Sequence, residues 1–350
     1  MNQSKISRIP KMAKAAIVGG SGYTGGELAR ILCRHPKISL STLTSRQHPG
    51  VKVSKVHPYL QGFVDIRFDE KLNGGMDYDI VFVATPYGAS MDIIPDILEK
   101  GIKVVDLSGD YRLKDPNIYR KWYGIDHKDS KNLLTSAYGI PELFKNDIVE
   151  SQLVANPGCY PTCAVLALAP LIAEGLIESR IIVDAKSGTS GAGMEPTKLT
   201  HHPNCGANVI PYKVGSHRHT PEIQMALDMM SGGASEVVFT PHLIPIVRGI
   251  LCTSYVRLAK SASHDDLYSV YEKYYADKRF VRVDIVPSIP SVVGSNYCEI
   301  GYEFAGNGNV VVMSTVDNLV KGGAGQAVQN ANLMLGLEES TGLDFPGLGV

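Results

Sequence analysis

Two textures of apolar patterning divide the chain. Over the first 155 or so residues, short and almost continuous apolar runs alternate with segments of helical period. Residues 14–20 predict a buried strand, 19–26 a glycine-rich turn and 27–34 a helix. Further strands are expected at 38–45, 79–85 and 103–107, with a helix at 91–100 between the last two. Strands that alternate with helices bury both faces of a parallel sheet, so this part is expected to be a doubly wound α/β domain.

Beyond Cys159 a helix is expected to about residue 174 and a buried strand at 180–186. Runs rich in Val, Ile, Thr and Tyr then follow at 237–258, 281–287, 297–304 and 309–316, with one helix at 264–276. That pattern predicts a mostly antiparallel sheet with helices on one face, an α+β domain. Residues 317–335 are helical in period and are expected to return to the first domain. The expected division is therefore 14–155 with 317–350 as a Rossmann-type unit and 156–316 as a catalytic and oligomerising unit, with 1–13 a disordered tail.

Composition narrows the function. A chain of 350 residues exceeds what one core usually serves. Its formal charge of -1, without basic or acidic blocks, argues against nucleic acid or a membrane surface as partner and for a small molecule. No apolar run reaches membrane length and the first residues lack a signal-peptide core, so a cytoplasmic enzyme is expected. The tail carries Lys5, Arg8, Lys11 and Lys14 without an acid, and Met12 offers an alternative start to Met1. Six cysteines without paired spacing imply a reducing compartment.

The glycine-rich turn has the context of a dinucleotide site. Gly19, Gly22 and Gly25, with Ser21, Tyr23 and Thr24 between them, lie after a strand and before a helix. Such glycines let the backbone approach a pyrophosphate at the helix N-terminus. A plain tight turn is the alternative. Where an NAD enzyme places an acid at the end of the second strand, this chain has Ser45 and Arg46, which suit a 2′-phosphate. The expected cofactor is NADP(H).

Cys159, in Asn156-Pro157-Gly158-Cys159-Tyr160-Pro161-Thr162, stands where a strand-like run becomes a helix. Positive potential at a helix start favours thiolate and is expected to draw the thiol towards neutrality, although burial as a packing residue is the commoner fate of a free cysteine. A second cluster holds His217 and His219, expected to titrate near neutral pH just before a helix that starts with Thr220 as N-cap and Pro221 at N1. Arg112 and Arg248, set in or beside apolar runs, are candidate anion clamps. A zinc site from His201, His202 and Cys205 with His217 and His219 is a weaker alternative, because catalytic-zinc spacing is lacking, and no metal is expected.

A thiol, a reduced nicotinamide, a histidine and anion clamps suit reduction of an acyl phosphate to an aldehyde through a thioester. The motifs at 20–28 (Gly-Ser-Gly-Tyr-Thr-Gly-Gly-Glu-Leu), 156–162, 187–193 (Ser-Gly-Thr-Ser-Gly-Ala-Gly), 217–223 (His-Arg-His-Thr-Pro-Glu-Ile) and 317–322 (Asp-Asn-Leu-Val-Lys-Gly) resemble the N-acetyl-gamma-glutamyl-phosphate reductase family of arginine biosynthesis, related in fold to aspartate-semialdehyde dehydrogenase. The resemblance runs from about residue 14 to 337. Gly20 and Gly109 stand where alanine is commoner.

The resemblance implies that Cys159 is the nucleophile and that His217, Arg218 and His219 lie in the active site; His219 is favoured as the acid/base with His217 contacting substrate, a ranking that the sequence alone leaves open. It further implies that Ser190, Gly191, Gly193 and Asn318 line the cofactor, and that Asn156, Arg112, Arg218, Glu222 and Arg248 serve the substrate. A homodimer or homotetramer is expected. A related branch acts on aminoadipyl or glutamyl phosphates linked to an acidic carrier protein, for which Lys121, Lys128, Lys131, Lys198 and Lys213 are candidate contacts. The alternative of another class is a non-catalytic NADPH sensor.

Overall fold

The computed structural model describes residues 12–233 and 235–350, so the expected tail at 1–13 lies almost wholly outside the described residues. Six strands, β1 (Ala13–Val18), β2 (Ile38–Thr44), β3 (Ile80–Val83), β4 (Lys103–Asp106), β5 (Ala137–Tyr138) and β6 (Leu153–Ala155), form a sheet of order β2-β1-β3-β4-β6-β5. All of its pairings are parallel. β3 is buried along its whole length, as a strand covered on both faces must be. The chain order reverses between β1 and β3, and at such a switch point a crevice opens beyond the carboxyl ends of the strands.

The second sheet contains β7 (Arg180–Ser187), β8 (Ile210–Pro211), β9 (Glu236–Leu243), β10 (Ile250–Arg257), β11 (Val281–Val283), β12 (Cys298–Phe304) and β13 (Asn309–Val316), in the order β11-β12-β13-β10-β7-β9-β8. It is mixed, with β7–β9 and β11–β12 parallel and the other pairs antiparallel. β7 and β10 alternate buried and accessible positions, so one face packs on the core and the other faces outward. The helix Cys159–Ala173 lies on the inner face. Its residues from Tyr160 to Ile172 are all buried, which suits a segment apolar on every side.

Several element boundaries differ from expectation, each for a local reason. The first helix begins at Tyr23, directly after Gly22. The 237–258 run breaks at Ser187-facing Leu243 and resumes at Ile250, because the intervening turn crosses to the far side of β7. Residues 91–100 form two short helical pieces, Ser90–Asp92 and Ile94–Leu98, with Pro95 at the start of the second. Residues 317–335 are not one helix: a π-helical turn, Val320–Ala324, precedes the helix Gly325–Met334. Val320, Ala324, Ala327, Val328 and Ala331 share a core with Ile17, Leu28 and Val105 of the first sheet and its helix. Among the described residues no helix is long and apolar enough to cross a membrane.

Candidate active site

The glycine turn is shaped by its backbone. Gly19 has φ +82, and a Cβ there would lie 2.5 Å from the Ala84 carbonyl oxygen at the end of β3. A Cβ on Gly25 would lie 2.6 Å from the Gly19 carbonyl oxygen, so only glycine lets the helix Tyr23–Leu32 close on the turn. At Gly22 a Cβ would meet nothing, which leaves open space in front of the helix N-terminus. A tight turn, an open approach and a close helix contact are the three roles glycines play where a pyrophosphate is held. The Thr85 hydroxyl beside the turn is buried and lacks a partner among the described residues. At the end of β2, the Ser45 hydroxyl donates to Ser21 Oγ at 3.0 Å, and Arg46 is exposed without an ion-pair partner among the described residues. These residues fit an anionic dinucleotide carrying a 2′-phosphate.

The cysteine turn follows β6 at the same carboxyl edge. Gly158 is the N-cap and Cys159 the first residue of its helix. Three buried side chains grip the turn. Glu222 accepts the Gly158 N–H at 2.7 Å and the Tyr138 hydroxyl at 2.9 Å. Arg112 donates from Nε to the Asn156 carbonyl at 2.8 Å, from Nη1 to Glu222 at 3.1 Å and from Nη2 to the Leu107 carbonyl at 3.3 Å. Burial works against the Arg112 charge, but the Glu222 carboxylate together with Tyr123, Tyr138 and Asp106 more than offsets it and raises its pKa. The Asn156 amide donates to the Gly323 carbonyl at 3.2 Å and accepts from Asn330 at 3.1 Å.

Gly322, in the π-helical turn, closes the other side: a Cβ there would lie 2.8 Å from Cys159 Cβ. A single added residue in the helical ladder brings that backbone against Cys159, as π-turns often do at functional sites.

Cys159 lines a cavity of about 120 Å³ with Tyr160, Ser187, Gly191, Tyr212, His217, Arg218 and His219. The helix that carries His219 runs from His219 to Ser231, so His219 and Thr220 sit in its first turn and Thr220 is not the N-cap. The reason is His217, whose Nδ1 accepts the His219 N–H at 3.1 Å and takes over the capping role. His219 is the nearer imidazole to the cysteine turn, since a Cβ on Gly158 would lie 2.4 Å from its Nε2. The rings of His217 and His219 meet edge to face at 4.7 Å, walled by Tyr160, Tyr212 and Phe239.

That wall overturns the expected protonation. Burial pushes the Cys159 thiol up to about 12, against the lowering pull of the Tyr160 N–H and Arg112. The residue keeps a small opening to the cavity, yet its sulfur is surrounded by protein, and desolvation outweighs the helix start. Burial also lowers His217 to about 3, with Lys213 and Arg218 adding repulsion, and holds His219 well below the usual histidine range, with His217 and Arg112 adding to it. The resting site is therefore a neutral thiol beside two neutral imidazoles.

Other expected residues fall into two groups. Asn318 ties the loop expected to line the cofactor together, accepting the Gly249 N–H at 2.7 Å and donating to Ser190 Oγ at 2.9 Å, with Gly191 alongside. Gly193 follows at φ +90 with open space before it. Arg112, Glu222 and Asn156, by contrast, spend their polar atoms on one another, on Tyr138 and Asn330 and on the backbone, so they shape the site and are not presented to a substrate. Arg248 is also committed within the chain, to Glu27 at 3.0 Å and Asp317 at 3.0 Å, and does not line the cavity. Of the lysines considered for a carrier, Lys128 is paired with Asp92 at 2.8 Å. Among the described residues no cluster of His, Cys, Asp and Glu is placed to hold a metal. A larger cavity of about 430 Å³ beside the helix His264–Tyr275 contains none of the candidate residues.

Residues 14–151 match the family model described as semialdehyde dehydrogenase, NAD binding domain, and residues 159–318 the model for the dimerisation domain of the same enzymes. Fold and site thus define a semialdehyde dehydrogenase. Solved structures agree in fold: aspartate semialdehyde dehydrogenase with NADP from Candida albicans superposes with a TM-score of 0.69 at 15% identity, covering 93% of this chain and 99% of that one. The Vibrio cholerae aspartate semialdehyde dehydrogenase II gives 0.68 at 17%, covering 93% and 98%. Among curated relatives, N-acetyl-gamma-glutamyl-phosphate reductase of Methanocaldococcus jannaschii is 49% identical, covering 96% of this chain and 99% of the relative. That of Desulforudis audaxviator is 46% identical over the same shares. The chain belongs to the N-acetyl-gamma-glutamyl-phosphate reductase family.

Proposed function

We propose that the protein reduces N-acetyl-gamma-glutamyl phosphate with NADPH to N-acetylglutamate 5-semialdehyde and phosphate, a step of arginine biosynthesis. The observation that carries this reading is the meeting of Cys159, His217 and His219 in one cavity at the carboxyl edge of a sheet whose glycine turn fits a dinucleotide. We take residues 14–155 with 317–350 as the dinucleotide unit and 156–316 as the catalytic unit.

In this mechanism His219 takes the thiol proton as Cys159 Sγ attacks the acyl carbon, because a thiol held up to about 12 supplies little thiolate by itself. The C–S bond forms, the C–O bond to phosphate breaks, and a thioester remains on Cys159. Bound NADPH supplies the hydride for its reduction. As the C–S bond then breaks, the imidazolium of His219 returns its proton to sulfur and the aldehyde leaves. Arg112 and Glu222 act as positioning residues that fix the nucleophile's turn. The low basicity of both histidines makes the proton transfer depend on substrate: an entering anion favours the imidazolium and brings base and nucleophile into play together.

A second copy of the chain is proposed to cover the outward face of the mixed sheet, where Ile182, Val238 and Tyr255 are each more than two-fifths exposed. The matching dimerisation-domain model supports that placement.

Cys159→Ser is the primary test. Reductase activity on N-acetyl-gamma-glutamyl phosphate is expected to fall on the order of 10³-fold or more while the fold is retained. Retained activity would overturn the catalytic reading. Activity of the unaltered protein only on a carrier-linked acyl phosphate would move the substrate to the related branch, and activity on no acyl phosphate would favour a sensor.

A further inference from the structure

Arg218 differs from the other buried or half-buried arginines near the site. Arg112 and Arg248 are neutralised by carboxylates of the chain, whereas Arg218 has no ion pair and no hydrogen bond among the described residues. Among the described residues its charge is met by two aromatic rings. Arg218 Cζ lies 4.2 Å from the centroid of Tyr87 and 5.2 Å from that of Tyr123. A guanidinium held against aromatic faces gains cation–π stabilisation and keeps its in-plane N–H donors free.

We propose that Tyr87 is a positioning residue for substrate specificity, presenting the Arg218 guanidinium to an oxyanion of the substrate at the mouth of the Cys159 cavity. This rests on the reductase reading above and assigns part of the substrate clamp to a residue outside the cysteine and histidine motifs. Arg218 itself lines that cavity with Cys159, His217 and His219.

The two rings are built to hold this geometry. Tyr87 lies in the turn after β3, and Tyr123 ends the helix Pro116–Tyr123. The rings meet edge to face at 5.5 Å. Tyr119, one turn earlier on that helix, stacks on Tyr123 with centroids 4.4 Å apart. A single buried carboxylate fastens both supports: Asp110 accepts the Gly88 N–H at 2.8 Å and the Ser90 hydroxyl at 2.6 Å from the turn, and the Tyr119 hydroxyl at 2.6 Å from the helix. The ring of Tyr87 is thus fixed from behind while 43% of the residue remains exposed. A planar, unpaired guanidinium in such a frame matches a two-oxygen anion, which both a carboxylate and a phosphoryl group offer.

The test compares Tyr87→Leu, which removes the π face, with Tyr87→Phe, which keeps it. Tyr87→Leu is expected to raise KM for N-acetyl-gamma-glutamyl phosphate about tenfold, with kcat and KM for NADPH within about twofold of the parent. Tyr87→Phe is expected to restore KM to within about twofold. An unchanged KM in Tyr87→Leu, a Phe variant as impaired as the Leu variant, or an effect confined to kcat or to NADPH overturns the proposal.

Calorimetric titration of the parent and the Leu variant with N-acetylglutamate and with inorganic phosphate gives a readout independent of turnover. Weakened binding of N-acetylglutamate alone assigns Arg218 to the carboxylate, weakened phosphate alone assigns it to the phosphoryl group, and no weakening of either contradicts the proposal. A parent protein that reduces no acyl phosphate but whose anion binding depends on Tyr87 would sink the reductase reading and leave only the Tyr87–Arg218 anion clamp standing.

Discussion

The glycine turn after β1 and the cysteine turn after β6 occupy the same edge of the same parallel sheet, and each leads from a strand into a helix. They are held by opposite means. The first is a fit of backbone to backbone, in which missing Cβ atoms let Gly19, Gly25 and Ala84 come together. The second is a charged clamp, in which Arg112 and Glu222 reach the turn from elements 110 residues apart in sequence. A binding loop that must admit a large anion is best left without side chains of its own. A nucleophile that must meet one carbon atom needs its turn fixed from behind by groups that cannot rotate away.

The charged clamp is most readily broken at Glu222. Glu222→Gln leaves Arg112 charged, buried and unpaired, and is expected to cost about 3 kcal/mol in denaturant unfolding, with a parallel loss of kcat. Unchanged stability would mean that the clamp does not hold the turn.

The last two glycines of the turn, Gly22 and Gly25, test the other half of the contrast. Gly25→Ala forces a Cβ against backbone atoms of Gly19 and Gly20 and is expected to destabilise by about 2 kcal/mol. Gly22→Ala meets nothing in the protein, so its stability cost stays within about 1 kcal/mol, while NADPH affinity falls about tenfold. Equal stability losses in the two variants would contradict the distinct roles given to them.

A smaller effect separates the turns by pH. The folded state favours neutral His217 and His219, so their contribution is complete above the unfolded histidine value of about 6.5 and is lost as pH falls below it, towards about 3 for His217. His217→Asn keeps an acceptor for the helix start and is expected to reduce the acid-side slope of stability by up to about 1 kcal/mol per pH unit. An unchanged slope in urea unfolding across that window would show that His217 is not held neutral.

What was legible in the sequence follows the same division. The glycine turn lies within seven residues and its flanks carry their own periods, so its position and context could be read directly. Cys159 was also legible as a thiol at a helix start. Its protonation was not, because the helix end is local while the burial that pushes the thiol up comes from Tyr160, Tyr212 and the histidine segment. Arg248 read as a free clamp because Glu27, its partner, is 221 residues away. The helix at His219 starts earlier than Thr220 and Pro221 suggest, since an imidazole rather than a hydroxyl takes the cap. Tyr87 left no signal beyond a turn after a strand, and its meaning depends on where Arg218 arrives.

In the proposed reaction Cys159 carries the acyl group. Running the reaction in reverse, with N-acetylglutamate 5-semialdehyde and NADP but no phosphate, stalls it at that stage, and intact-protein mass spectrometry after acid quench reads the result. One N-acetylglutamyl adduct per chain is expected, mapped to Cys159 and released as acyl phosphate when phosphate is added. NADPH formation without any adduct on Cys159, or an adduct that survives in Cys159→Ser, would contradict it.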